Sequence, residues 1–161
     1  MTALRRNNRA WWLVVLGGVS TIGGAARTTD PTVFTAWRTY RAQAGDLPDD
    51  RMRALHVDGD RLWVGTMNGV ALYADGRWQT WTGMGKSSRV IVRSIDVEPQ
   101  TGNVWMGTWG DGLYRFSGGR FDRFDQINSG LAGNLVFSVV YFHNAVWAAT
   151  NAGVSVFDAR R

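Results

Sequence analysis

Two histidines, His56 and His143, and a handful of aspartates are the residues here with the chemistry for proton transfer or metal binding. An imidazole titrates near neutrality, and with two or three further nitrogen, sulfur or carboxylate donors it holds zinc. Both histidines stand in strand-like runs of different parts of the chain, with no second donor at ligand spacing, so each is expected to be packed or solvated. Serine, histidine and aspartate all occur, but no GxSxG elbow presents a nucleophile. Asp58-Gly59-Asp60 reads as a hairpin turn, because Asp and Gly tolerate positive φ, and it lacks the further oxygen ligands of a calcium loop. Asp49 and Asp50 follow Pro48 in a connection and read as a solvated turn. The chain has no cysteine, which excludes disulfides and thiolate chemistry. The expectation is a non-enzymatic protein without catalytic residues, metal or cofactor.

The elements that would carry any site are short and β-rich. A chain of 161 residues, 45% hydrophobic with 20 glycines, is long enough for one packed core and has the turn content of a β protein. Its net charge of +5 is concentrated at the start, where Arg5, Arg6 and Arg9 meet no acid. Beyond residue 26 the balance is close to neutral, too mild for a phosphate-binding surface, so nucleic acid is not an expected partner.

The three arginines precede AWWLVVLGGVSTIGGAA, residues 10 to 26, and the next charge is Arg27. A basic start, an apolar centre and small residues such as Gly24 and Ala26 form the order of a signal peptide; the uncharged run is also near the length of a membrane anchor. Both readings place the rest of the chain outside the cytoplasm, periplasmic or secreted in one case and tethered to the inner membrane in the other. The expected organisation is therefore 1–26 signal or anchor, 27–33 linker, and 34–161 repeats.

The repeat is visible as LWVGT (62–66), VWMGT (104–108) and VWAAT (146–150), which set Trp63, Trp105 and Trp147 at two equal intervals of 42 residues. Each copy continues through a Gly-containing turn into a second run: VALYA, LYRF or VSVF. Ahead of each tryptophan lies MRALHV (52–57), VIVRSIDV (90–97) or LVFSVVYF (135–142), and an aromatic pair marks a further strand at Trp37/Tyr40, Trp78/Trp81 and Phe121/Phe124. Each period thus holds four short strands joined by connections that force an antiparallel meander. A four-stranded unit of this length is the size of one β-propeller blade. Glycine at 65 and 107 fits a place where backbones crowd, and the tryptophan beside it covers the blade face.

These residues resemble the two-component regulator propeller repeat. TGNVWMGTWGDGLYRF (101–116) is very similar to the family pattern of Gly-Asn-Leu-Trp-x-Gly-Thr followed by Gly-Gly-Leu-Tyr, and GDRLWVGTMNGVALY (59–73) is a fair match. The third copy departs, with Ala149 for glycine and Val154-Ser155 for Gly-Leu. The resemblance spans about residues 34–161 and implies an all-β propeller fold and the sensing or scaffolding half of an extracytoplasmic sensor, with no kinase. About three blades are expected where closed propellers have four to eight. The run of strands opens on a fourth-type strand near Trp37 and stops after a third-type strand at Phe157. Two readings are open: two copies associate head to tail into a six-bladed ring, or the chain is a piece of a longer propeller protein.

A ligand or protein partner is expected on the face that gathers the turns after each tryptophan strand and the longer connections between blades. That face would hold Met67, Asn68, Trp109, Asp111, Asn151, Lys86 and Asn128. Trp109 stands out because it interrupts the repeat with an aromatic in a turn, where it can stack on a sugar ring or fill a partner's pocket.

Overall fold

The computed structural model describes residues 37–85 and 89–158. The signal or anchor read at 1–26, the linker at 27–33 and Lys86 lie outside the described residues. Contacts divide the chain into Met1–Trp37 and Arg38–Arg161, and the second of these units carries the sheets. Among the described residues no helix is long and apolar enough to cross a membrane.

The unit is all-β, with three antiparallel sheets. The first comprises β1 (Met52–Asp58), β2 (Arg61–Thr66), β3 (Gly69–Ala74) and β4 (Arg77–Trp81); the second β5 (Val92–Val97), β6 (Val104–Thr108), β7 (Leu113–Ser117) and β8 (Arg120–Phe124); the third β9 (Val136–Phe142), β10 (Ala145–Thr150) and β11 (Gly153–Phe157). Within each sheet the strands follow chain order, as hairpin-length connections require. These match the runs expected from sequence to within a residue or two at each end. Apart from the sheets, the described residues contain only two 3₁₀ turns, Ala42–Ala44 and Gly83–Gly85.

Register makes the sheets superimposable. Trp63, Trp105 and Trp147 each lie on the second strand, opposite His56, Asp96 and Val140 respectively. The hydroxyls of Thr66, Thr108 and Thr150 donate to the carbonyls of Gly69 (3.0 Å), Gly112 (2.6 Å) and Gly153 (2.8 Å). The same hydroxyls accept from the N–H groups of Asn68 (3.0 Å), Asp111 (3.2 Å) and Ala152 (3.1 Å). The threonine of the repeated motif is thus the brace of the turn that follows it.

Sheets stack face to face through a repeated apolar contact. Trp63 is 1% exposed, with its ring 5.6 Å from Phe116 of the second sheet, and Trp105 is 2% exposed, 5.5 Å from Phe157 of the third. Beside each indole a glycine lets the next sheet's first strand come close: a Cβ on Gly65 would lie 2.9 Å from Val92 Cγ1, and one on Gly107 2.7 Å from Val136 Cγ1. Removing either indole would cost roughly 3–5 kcal/mol, the usual cost of truncating a buried aromatic to alanine. Trp147 holds the same position but is 41% exposed, because no described sheet lies beyond it. The sheets therefore form an open run, first against second and second against third.

Three expectations need correction. No strand forms at Trp37–Tyr40, because no neighbouring strand within the unit offers a ladder; Tyr40 instead lays its ring on Tyr73 and Trp78. His143 is not in a strand but in the turn after β9, at φ 50°, stacked on Phe142. Asp49 is more than a solvated turn residue: the Arg51 guanidinium and backbone N–H bind its carboxylate and hold its pKa at about 2. By contrast, Asp58-Gly59-Asp60 does make the β1–β2 hairpin turn.

Two measurements test this packing. Gly107→Ala should destabilise by about 1–3 kcal/mol through overpacking, and pairing it with Val136→Ala should cost less than the sum of the single changes in denaturant titrations. The Tyr114 hydroxyl is buried, and that burial, helped by the Asp111 carboxylate, pushes its pKa up to about 12. An unfolded tyrosine ionises near 10, so its neutral form stabilises the fold below that pH and the contribution is lost as pH rises from about 10 towards 12. Tyr114→Phe should flatten the alkaline arm of the stability profile.

Candidate functional site

The same irregularity recurs at the start of each first strand. Pairing slips between Met52 and Ala54 in β1, between Val92 and Ser94 in β5, and between Val136 and Ser138 in β9. The extra residues are Arg53, Arg93 and Phe137. A bulge bends its strand and re-aims the unpaired side chain, so three equivalent bulges aim three side chains towards the same edge of the sheets.

Turns after the tryptophan strands meet them there. The N–H groups of Met67, Trp109 and Asn151 each donate at 3.0 Å, to the carbonyls of Arg51, Ile91 and Leu135, which fixes every turn to the strand entry of its own sheet. Further bonds tie the first two turns to the connections entering the next sheets, from Gly69 to Val90 (2.7 Å) and from Gly112 to Asn134 (2.9 Å). Turns and connections therefore share one edge.

Met67 and Trp109 come together with three side chains that sequence reasoning did not single out. A cleft of about 310 Å³ is lined by Arg53, Met67, Ile91, Arg93 and Trp109. The Arg53 Nε donates to the Met67 sulfur at 3.1 Å. The Arg93 guanidinium lies 4.5 Å from the centre of the Trp109 ring, which in turn meets Phe137 edge to face at 6.2 Å. Trp109 remains 45% exposed. Among the described residues no carboxylate is paired with Arg53 or Arg93. Two forked cations beside an open indole can grip an anionic group bidentately while the ring supplies a flat apolar face.

The other expected residues sit elsewhere on this edge. Asn68 and Asp111 are half-buried in their turns, with their N–H groups on the bracing threonines. Asn151 is held by its own N–H on Leu135. Asn128 builds its loop: its side chain accepts from the Asp125 N–H (2.8 Å) and donates to the Arg123 carbonyl (3.0 Å). The Asn128 N–H in turn binds the Asp125 carboxylate and, with help from the Ile127 N–H and the Arg123 guanidinium, holds its pKa below the usual carboxylate value against the opposing effect of burial. Arg53, Arg93 and Phe137 stand 10, 12 and 10 residues before their tryptophans. The longer hairpin of the second sheet breaks the interval and hides their equivalence, and a bulge leaves no mark in composition.

Neither a protein-family model nor a curated protein matches the chain. Solved structures do. The extracellular domain of a protein described as a hybrid two component system, BT3049 of B. thetaiotaomicron, aligns with 68% of this chain at 24% identity and a TM-score of 0.57. PorZ, a bacterial surface component of the type-IX secretion system of Porphyromonas gingivalis, aligns with 66% at 19% identity and a TM-score of 0.53. The chain corresponds to 16% and 17% of the length of those two chains. Identities this low establish likeness of fold: the sheets are similar to parts of much longer extracellular and surface proteins.

The half-exposed position of Trp109 predicts that Trp109→Ala leaves the sheets intact and costs about 1 kcal/mol or less, since it removes no core contact. Thermal melting and circular dichroism check this. Loss of soluble protein would place the indole in the core.

Proposed function

We propose that the three sheets are blades of a β-propeller and that the chain acts outside the cytoplasm as a non-enzymatic sensing or binding module. Its ligand site is the cleft between the Met67 and Trp109 turns. The observation that carries this reading is that the bulged Arg53 and Arg93 line one cleft with the open Trp109 ring, Arg93 lying over the ring itself. That chemistry fits an anion with a flat apolar face, of which an acidic sugar is the simplest case. A glycan ligand or the acidic surface of a protein partner would both present it. Likeness to an extracellular sensor domain and to a surface component supports the location and the role. The sequence order of basic start, apolar run and small residues supports export.

Titration calorimetry with acidic and neutral oligosaccharides of equal ring number tests the site. Acidic oligouronides should bind, neutral ones at least about tenfold more weakly, and Arg93→Gln should weaken the acidic complex roughly 10- to 100-fold, the range for a hydrogen bond to a charged group. Raised salt should weaken it further. Neutral sugars bound as tightly, or no saturable binding of any acidic oligosaccharide, would exclude this ligand class.

A further inference from the structure

The two ends of the sheet run carry complementary halves of one more blade. At the start, Tyr40 packs on Tyr73 (5.9 Å) and Trp78 (5.2 Å), and Leu47 is buried against Val64 and Ala71. Inside the chain, Phe124 and Leu131, at the same seven-residue spacing, treat the third sheet in the same way: Phe124 lies 5.8 Å from Phe157, and Leu131 is buried with Val146 and Ala148. Tyr73 and Phe157 are equivalent, each pairing with the residue before its sheet's tryptophan, Leu62 and Val146. Residues 40–47 therefore occupy the place of a fourth strand's end and its outgoing connection, with no first three strands before them among the described residues.

At the far end the situation is reversed. The third sheet has its first three strands and, among the described residues, nothing along the outer edge of β11. Its outward face shows Trp147, Val154 and Val156, where the equivalent Trp63, Val70 and Leu72 are buried. Facing the other way, Leu55 and Val57 of β1 are each 69% exposed, although their counterparts Ile95 and Val97 lie in the core. An unpaired strand edge beside an apolar face is an unsatisfied interface.

The ends also depart from the repeat together. Both internal junctions set glycine against valine, Gly65 against Val92 and Gly107 against Val136. By register the outward positions are Ala149 and Met52. A methyl at 149 would collide with a branched valine, but methionine has a single flexible Cγ that can turn aside. Asp96, whose carboxylate accepts from the Tyr141 N–H at 2.6 Å across the internal junction, has Val140 as its outward counterpart, matched to the apolar Val57.

We propose that the outward face of the third sheet accepts the β1 side of a second copy of this chain. Tyr40 and Leu47 of each copy then stand to the other's third sheet as Phe124 and Leu131 stand to the second sheet, and two copies close a ring of six sheets. This rests on the blade reading of the sheets and is independent of what the cleft binds.

Cysteine pairing tests it, since the chain has none of its own. A Cβ on Gly107 would lie 3.3 Å from Val136 Cβ, close to the separation a disulfide needs, so the matching pair at 149 and 52 is placed for a bridge. The Met52→Cys/Ala149→Cys double variant should give a covalent two-chain species on mild oxidation, and neither single variant should. Native mass should read two chains for the wild type and for Trp109→Ala, and one chain for a folded Trp147→Glu variant. A wild-type mass of one chain or of more than two, a bridge formed within one chain, or a bridge from Ala149→Cys alone would each overturn the proposal. A one-chain mass with acidic-sugar binding retained would overturn it and leave the ligand reading standing.

Discussion

The structure depends on one contact made twice: an indole laid against the next sheet beside a glycine that lets that sheet's first strand approach. The cost of a Cβ at Gly65 or Gly107 is steric and immediate, because a branched valine already fills the space. Trp63 and Trp105 then seal the gap with the largest apolar side chain available, packed edge-on against Phe116 and at a tilt against Phe157. Each four-stranded meander is too thin to bury its own faces, so this junction converts separate hairpins into a cooperative run.

Repetition of the junction has a consequence at the edge of the sheets. The first strands of the second and third sheets enter under the preceding sheet's turn, each held by a backbone bond from that turn, and all three first strands carry a bulge at the same register. The bulge frees one side chain per sheet from the alternation of inside and outside. Two of the three positions hold arginine and one holds phenylalanine, so the scaffold presents a cationic and aromatic rim without disturbing any core residue. The rim is built from backbone geometry common to the sheets, while the identity of the bulged residue is free to vary. Trp109 adds to it because its turn is one residue longer than the Met67 turn and holds an aromatic where the first turn holds methionine.

At both ends of the sheet run no adjoining sheet lies among the described residues. Tyr40 and Leu47 pack on the first sheet as Phe124 and Leu131 pack on the third, and Trp147 is half-exposed where Trp63 and Trp105 are covered. The equivalent positions at the two ends depart from the repeat, alanine for glycine at 149 and methionine for valine at 52, and both stay apolar.

How much was legible varies with the range of the interaction that decides each feature. Strand positions, their antiparallel order and the bracing turns could be read from residues 52 to 157, since hairpins are local and the tryptophan interval repeats. That the Met67 and Trp109 turns share an edge with the connections between sheets was legible for the same reason. Arg53, Arg93 and Phe137 were not, because a bulge is set by how a whole strand pairs with its neighbour, and Asn128 looked available although its side chain closes its own loop. The absence of a strand at Tyr40 likewise depends on whether another strand lies alongside. The repeating unit is a property of the amino-acid order alone, because its period is written into local turn and side-chain chemistry. Which side chains converge and which faces stay uncovered was settled in three dimensions, by contacts between residues tens of positions apart.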